Sequence, residues 1–369
     1  MGSGQSNIYS RFRFFMEYTN YIDKKNIKKI LVIKCRALGD VLLSTPVFTN
    51  LKNYFHAEID AFIYSDSLEI LKNNQYINNI ISYDLSIKKL NFFKKIVKEI
   101  KFILKVRKKN YDLIINLTEG DRGDILAFFS KAKYKIGQKS HKKKFFKKFT
   151  HLVKIPPTKR HQVELHLDFL RVLNIPIYNK DLIFNISKSS EDNILNYLKK
   201  NNIEKYILIH PNTRWQFKRF NKFDKIIKHF LNQNKKVIVV SGSSKSELEY
   251  IEDLIKGLDV YNISGKTNIE ELGALIKYAE KIFTVDSFAF HLSNVFKKKV
   301  YAFFGPTCDI KWGGWQNPNC KVITSKISCR PCHMDGCGGS KISQCLNSIE
   351  LENIGIIDIE KKLHAKVLT

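Results

Sequence analysis

Asp40 closes the run Ile30-Leu-Val-Ile-Lys-Cys-Arg-Ala-Leu-Gly-Asp40. In that run a β-branched apolar stretch gives way to a short loop and then to an apolar helix. A carboxylate there stands beyond the carboxyl end of a parallel strand, where open α/β sheets bind ligands. It can take a proton from a hydroxyl as that hydroxyl attacks. The simpler role for the same residue is to cap the helix by accepting its first free N–H groups.

Other strand ends repeat the pattern. His210-Pro-Asn-Thr-Arg-Trp215 follows an apolar run and leads through Phe217-Lys218-Arg219-Phe220 into a helix. Thr213 brings a hydroxyl and Lys218 a point charge, the donors an anion asks for. Ser241-Gly-Ser-Ser244, with Glu247 just inside the next helix, can contact a nucleotide or ribose. Val285-Asp286-Ser287, with His291 one turn on, either caps a helix or holds a ligand at its start.

The cysteines form a separate constellation. Six of the seven lie between Cys308 and Cys345, and Cys35 stands alone. Cys329-x2-Cys332-x4-Cys337-x7-Cys345 can supply four thiolates to one tetrahedral zinc or iron ion. Gly336, Gly338 and Gly339 allow the tight turns such a loop needs. Free thiols in a glycine-rich loop are the alternative.

These residues need a frame, and the chain predicts one. Strand-like runs fall at Ile30–Ile33, Ile59–Ile63, Asp112–Leu117, Tyr206–Ile209, Val237–Val240, Ile282–Val285 and Val300–Phe304. Helical patterns such as Glu247–Ile255 and Ile269–Tyr278 lie between them. Such alternation builds parallel sheets covered by helices. With 369 residues, 44% of them hydrophobic, two domains are expected. The weak point is the polar stretch after the helix His161–Leu173, near 175–200. No internal sequence repeat stands out.

Composition narrows the partners. Sixty-three Lys and Arg against 35 acidic residues give a net charge of +28, which favours an anionic partner. No stretch approaches the roughly 18 uncharged apolar residues of a membrane span. No signal-peptide core is visible, and the chain is too long for a secreted disulfide scaffold. Lys139–Lys148 sets six lysines around Phe145-Phe146, and Tyr9–Phe15 has similar character. Both suit an acidic membrane surface or a nucleic acid. Leu90, Phe93, Val97, Ile100 and Leu104 mark one face of a helix flanked by lysines 94, 95, 98, 101 and 105. The plain expectation is that this face covers the sheet and the lysines face water.

Taken together, Ile30–Pro46, the His161–Leu173 helix, His210–Phe220, Phe283–Ser293 and Phe304-Gly-Pro-Thr307 resemble glycosyltransferase family 9, the bacterial heptosyltransferases of lipopolysaccharide core synthesis. The run Cys329–Lys341 with Cys345 is similar to the heptosyltransferase III-like branch. The resemblance covers about residues 28–350. It implies an α/β GT-B fold, two Rossmann-like domains with parallel sheets facing a cleft. A basic and aromatic extension would occupy 1–27, the acceptor domain 28–178, the nucleotide-sugar domain 179–347 and a helix or tail 348–369.

By position, the resemblance makes Asp40 the catalytic base and Gly39 the residue that lets the loop approach the sugar phosphate. Thr213 and Lys218 become diphosphate contacts. Glu247, Asp286, Ser287 and His291 complete the donor site, although Phe288 replaces the family's usual glycine. The implied reaction is inverting transfer of a heptose from ADP-heptose to the lipopolysaccharide inner core, without a catalytic metal. A zinc or iron ion would be structural. The partners would be ADP-heptose, an anionic core acceptor and the inner-membrane surface, with no nucleic acid. The enzyme would sit in the cytoplasm, peripheral at the inner face of that membrane. A protein acceptor or another nucleotide sugar stays open, as does a basic nucleotide- or nucleic-acid-binding protein without catalysis.

Overall fold

A computed structural model of the chain describes residues 22–118, 121–138, 149–155 and 160–352. The basic segments Tyr9–Phe15 and Lys139–Lys148, and the tail beyond residue 352, lie outside the described residues. The chain divides into two compact units between Phe184 and Asn185. Residues 179–184, expected to open the second domain, bond instead within the first unit. The Asn50 side-chain amide donates to the Asn179 carbonyl at 2.6 Å, and Ile183 N–H donates to Thr45 Oγ1 at 3.0 Å.

The first unit holds strands β1 (Lys29–Ile33), β2 (Glu58–Tyr64), β3 (Asn79–Tyr83), β4 (Leu113–Asn116), β5 (Tyr134–Gln138) and β6 (His151–Val153). Its helices are α1 (Leu38–Leu42), α2 (Thr45–Phe55), α3 (Leu68–Leu71), α4 (Phe92–Lys108), α5 (Asp121–Phe129) and α6 (Gln162–Arg171). The second unit begins with α7 (Lys188–Lys200). It continues with β7 (Tyr206–His210), α8 (Phe223–Asn232), β8 (Lys236–Val239), α9 (Lys245–Ile255), β9 (Tyr261–Asn262) and α10 (Ile269–Tyr278). After these come β10 (Lys281–Val285), α11 (Phe288–Val295), β11 (Val300–Phe303), α12 (Asp309–Trp312), β12 (Cys320–Ile323) and α13 (Gln344–Asn347).

The two sheets are built alike. The first runs β3-β2-β1-β4-β5-β6, and the second β9-β8-β7-β10-β11-β12. Every pairing is parallel. Both are therefore doubly wound sheets whose order reverses between the first and fourth strands, and that reversal opens a ligand crevice at the strands' carboxyl ends. The expected α/β class with two Rossmann-like units is present.

All seven expected strands form, because continuous apolar runs such as Leu113-Ile-Ile suit strands covered on both faces. The strands not foreseen are short or mixed. β9 has two residues, and β3 (Asn-Ile-Ile-Ser-Tyr) is half exposed at a sheet edge. In the second unit Phe220 stacks on Phe303 at 4.0 Å and Phe223 meets both edge-on. Each such ring contributes about 1.5–3 kcal/mol by leaving water. Four helices end in an asparagine with positive φ (Asn110, Asn174, Asn202 and Asn234), the left-handed stop that Asn tolerates better than most residues.

One expectation fails. The face of α4 carrying Phe93, Val97, Ile100 and Leu104 does not cover the sheet, for all four are exposed. The covering side is the next one round. Phe102 packs on Phe62 and Tyr83 at 5.2 and 5.5 Å, Val106 is buried, and Glu99 bonds to Tyr83 and Arg122. The half-buried Glu99–Arg122 pair and the Phe102 ring settle the rotation of the helix. No helix among the described residues is long and apolar enough to cross a membrane.

Candidate active site

At the first sheet's reversal point, β1 ends on Ile33 and the chain turns through Lys34-Cys-Arg-Ala into α1. The turn is held by Cys35 N–H donating to Thr118 Oγ1 at 2.8 Å, and by Lys34 Nζ donating to the Leu117 carbonyl at 3.3 Å. Both acceptors follow β4, the strand across the reversal. Asp40 does not take the capping role open to it. The N-cap is Ala37, without a side-chain bond, and Asp40 stands within the first turn. Its carboxylate is 23% exposed and lies 3.5 Å from the Lys34 ammonium, which is almost entirely buried. Gly39 precedes it on the same helix.

The support behind this loop is specific. His166 on α6 places Nδ1 3.0 Å from the Leu43 carbonyl, so that nitrogen carries the proton, and Nε2 accepts from the Gln162 amide at 2.9 Å. That contact ties the His161–Leu173 segment to the end of α1. Burial pushes the Cys35 thiol up to about 12, against the opposing charges of Arg122 and Lys34. Cys35 is thus a packed thiol and not a nucleophile.

The second unit gathers its residues at the same topological point. Lys218 lies in the loop after β7, and Asp286 immediately follows β10, the neighbouring strand. Their side chains meet at 2.7 Å. The Thr307 hydroxyl, from the loop after β11, donates to the same Asp286 oxygen at 2.7 Å. Asp286 is buried, so both donors offset the cost of keeping its charge from water. Ser287 is the N-cap residue of α11 but makes no side-chain cap bond. Its hydroxyl is 3.1 Å from that of Thr284. His291 is buried on α11, its ring 6.4 Å from Trp312. Thr213 lies on the β7 loop, which is shaped by Asn212 Oδ1 accepting from Thr213 N–H at 2.8 Å and Arg219 Nε at 2.9 Å.

Glu247 lies in the first turn of α9, its carboxylate accepting from Ser244 Oγ at 2.7 Å. A Cβ at position 242 would fall 2.6 Å from Glu247 Oε2, so any larger residue there would move this carboxylate from its place over the loop. Burial pushes the His210 imidazole down to about 4, although a backbone hydrogen bond and Glu247's charge pull the other way. His210 Nδ1 and Asn212 Nδ2 are buried without a hydrogen-bond partner among the described residues.

Of the sequence-derived donor set, Thr213, Lys218, Glu247, Asp286, Ser287 and His291 share the second unit and Gly39 belongs to the first. Lys34, Thr307 and His210 join these residues at the strand ends, although residue type and spacing alone do not mark them as site residues. Each is the last residue of a strand or follows one closely, the signal that could have found them.

The cysteine segment packs beside this site. Arg330 Nε donates to the Gly305 carbonyl at 2.6 Å, His333 N–H to Pro306 at 2.9 Å, and Ser343 Oγ to Phe217 at 2.6 Å. Gly336, Gly338 and Gly339 all have positive φ, as the tight turns require. Burial pushes the Cys345 thiol up, Arg330 opposes, and the nearby Cys337, Cys332 and Cys329 thiols push the same way. The four therefore share one neighbourhood. Among the described residues, however, no three Cys, His, Asp or Glu side chains stand close enough together to hold an ion.

A family model described as glycosyltransferase family 9 (heptosyltransferase) matches residues 100–342. Lipopolysaccharide heptosyltransferase 3 of Escherichia coli K12 is 33% identical over 287 residues, 75% of this chain and 82% of that one. The solved E. coli ADP-heptose lipopolysaccharide heptosyltransferase II matches with a TM-score of 0.70 at 17% identity, covering 92% of this chain and 99% of that chain. TibC from enterotoxigenic E. coli, an iron-containing dodecameric glycosyltransferase, matches with a TM-score of 0.53 at 11% identity, covering 94% and 78%.

Proposed function

This chain belongs to glycosyltransferase family 9, and from that premise we propose that it transfers a heptosyl group from ADP-heptose to the lipopolysaccharide core with inversion. The observation that carries the chemistry is Asp40, a part-exposed carboxylate at a sheet's reversal point that no capping role uses up. An acceptor oxygen attacks the anomeric carbon of the donor. The bond from that carbon to the diphosphate breaks, and its electron pair leaves with ADP. The acceptor's proton goes to Asp40 late in the step, when the hydroxyl has become acidic. A single displacement inverts the anomeric centre.

Charge grows on the departing diphosphate. Lys218 and Thr213 would offset it, with charged hydrogen bonds contributing about 1.5–3 kcal/mol each. Asp286 and Thr307 hold Lys218 ready at 2.7 Å until the diphosphate arrives. Glu247, Ser287 and His291 complete the donor site on this reading, and Gly39 keeps the Asp40 loop slim. Lys34 positions Asp40. The acceptor is an anionic lipid, so we place the enzyme in the cytoplasm against the inner membrane, where a net charge of +28 is of use.

The test is direct. Purified protein, ADP-heptose and a core acceptor lacking the added sugar should yield ADP and an acceptor heavier by one heptosyl residue. Release of ADP without a heavier acceptor, or transfer from another nucleotide sugar alone, overturns the reading.

For the cysteines we propose that Cys329, Cys332, Cys337 and Cys345 close on one structural zinc or iron ion. Support comes from their spacing, their shared neighbourhood and the iron in TibC. The ion would do no chemistry. It would brace the loops carrying Lys218 and Thr307, which the segment already touches. Elemental analysis of untagged protein should find about one ion per chain. Metal-free protein with full thermal stability counts against the site.

A further inference from the structure

The helix α4 carries three stripes at one spacing. Positions 93, 97, 100 and 104 are Phe, Val, Ile and Leu. Positions 94, 98, 101 and 105 are all lysine. Positions 95, 99, 102 and 106 face the unit's interior, with Glu99, Phe102 and Val106 engaged there. Each set follows the i, i+4, i+7, i+11 pattern of one helix face, and each is turned about 100° from the last. Apolar side chains therefore stand exposed next to a row of lysines. Phe92 is 71% exposed, Phe93 79% and Ile100 51%. Glu99, the only acidic residue of the helix, points away from both outer stripes and is held by Arg122 and Tyr83.

We infer that α4 docks the first unit onto an anionic lipid bilayer, lying in the plane of the interface with its apolar stripe sunk among the acyl chains. This rests on the proposed lipid-linked acceptor and names the surface that reaches it. The physical argument is one of matched stripes. A membrane surface offers hydrocarbon and, one headgroup higher, negative charge, the order in which this helix presents leucine-type side chains and lysines. The lysine stems can lie along the apolar region while their ammonium groups reach the phosphates. Phe92 and Phe93 sit together at the start of the helix, and bulky apolar rings partition readily into that boundary. A nucleic acid would satisfy the lysines and leave the apolar stripe in water. A second copy of the chain would cover the apolar stripe but bring two lysine rows face to face.

The experiment uses the full chain with vesicles of phosphatidylethanolamine and phosphatidylglycerol, against phosphatidylcholine vesicles as the uncharged control. Wild type should cosediment with the first and not the second. Two surface variants separate the stripes: Phe93→Ser/Val97→Ser/Ile100→Ser, and Lys98→Glu/Lys101→Glu/Lys105→Glu. Each should lower vesicle partition by about a hundredfold, and salt should weaken wild type in proportion. A third variant, Phe93→Trp, keeps an aromatic ring at the site. Its emission should gain quenching by bromine-labelled lipid beyond that of the wild-type tryptophans. Transfer to a detergent-dispersed acceptor should stay unchanged in all three, while transfer to an acceptor embedded in vesicles falls with partition. Vesicle binding unaltered in both triple variants overturns the inference, as does self-association lost with vesicle binding kept. If no acceptor form is glycosylated by wild type but partition follows the stripes, the proposed reaction falls and the docking surface stands.

Discussion

At the first sheet's reversal point, Lys34 and Asp40 come from one loop, and their charges lie 3.5 Å apart. At the second sheet's reversal point, Lys218 and Asp286 come from the loops after two adjacent strands, and Thr307 arrives from the loop after a third. The strand order is the same in both. The first pair leaves its carboxylate partly exposed; the second buries its carboxylate under two donors. An exposed carboxylate beside a buried lysine can receive a proton. A buried carboxylate holding a lysine can only aim it. On the proposed reading, one topology would serve a proton acceptor in one unit and a cation held for an anion in the other.

Breaking the first pair at its carboxylate should have the largest effect. Asp40→Asn should lower turnover by about 10²–10⁴-fold while ADP-heptose binding stays close to wild type. Rapid-quench and equilibrium binding measurements separate the two. Near-normal turnover would reduce Asp40 to a surface residue of α1.

The second unit carries a buried imidazole that sets an acid limit of its own. His210 is pushed down to about 4 in the folded protein, below its ordinary value of about 6.5. The unfolded chain therefore binds a proton that the folded chain refuses. Stability is full above about pH 6.5 and is lost as pH falls towards 4, by up to about 3 kcal/mol. Denaturant midpoints across that window should fall in wild type and flatten in His210→Asn. Parallel slopes for the two proteins would remove His210 from the account.

Lys218→Ala should weaken ADP binding by about 10–100-fold, read by calorimetry. Because Asp286 acts through the same ammonium, Lys218→Ala/Asp286→Ala should bind ADP no worse than Lys218→Ala alone. Unchanged affinity in the single variant would make the pair a structural clamp and erase the contrast between the two units.

The smallest effect should come from Lys34→Gln. It keeps a donor for the Leu117 carbonyl but removes the charge beside Asp40. Turnover should fall about tenfold with the donor KM unchanged, as expected for a positioning residue. A raised donor KM with normal turnover would move Lys34 to the binding site.

The cysteines show a limit of spacing as evidence. Four thiols at ligand-like intervals do come to one neighbourhood, yet the side chains stand apart. Chain separation controls whether ligands can meet. Whether they do depends on what the loop packs against, here Gly305, Pro306 and Phe217.

What the amino-acid sequence determined by itself is what short segments decide. β-Branched runs between helical patterns are enough for parallel strands, since each run can be buried only in a covered sheet. The placing of Asp40 after β1 is likewise local, as one loop joins strand to helix. The tertiary structure decided what depends on neighbours from afar. Lys218, Asp286 and Thr307 meet only because β7, β10 and β11 lie side by side. The face of α4 was the harder case. A hydrophobic stripe on a helix reads the same whether a sheet or water lies against it, and its moment records a direction without naming what covers it. Glu99 and Phe102, committed to Arg122, Tyr83 and Phe62, turned the stripe outward. That choice was made by side chains distant in sequence, so no periodicity within residues 92–108 could have announced it.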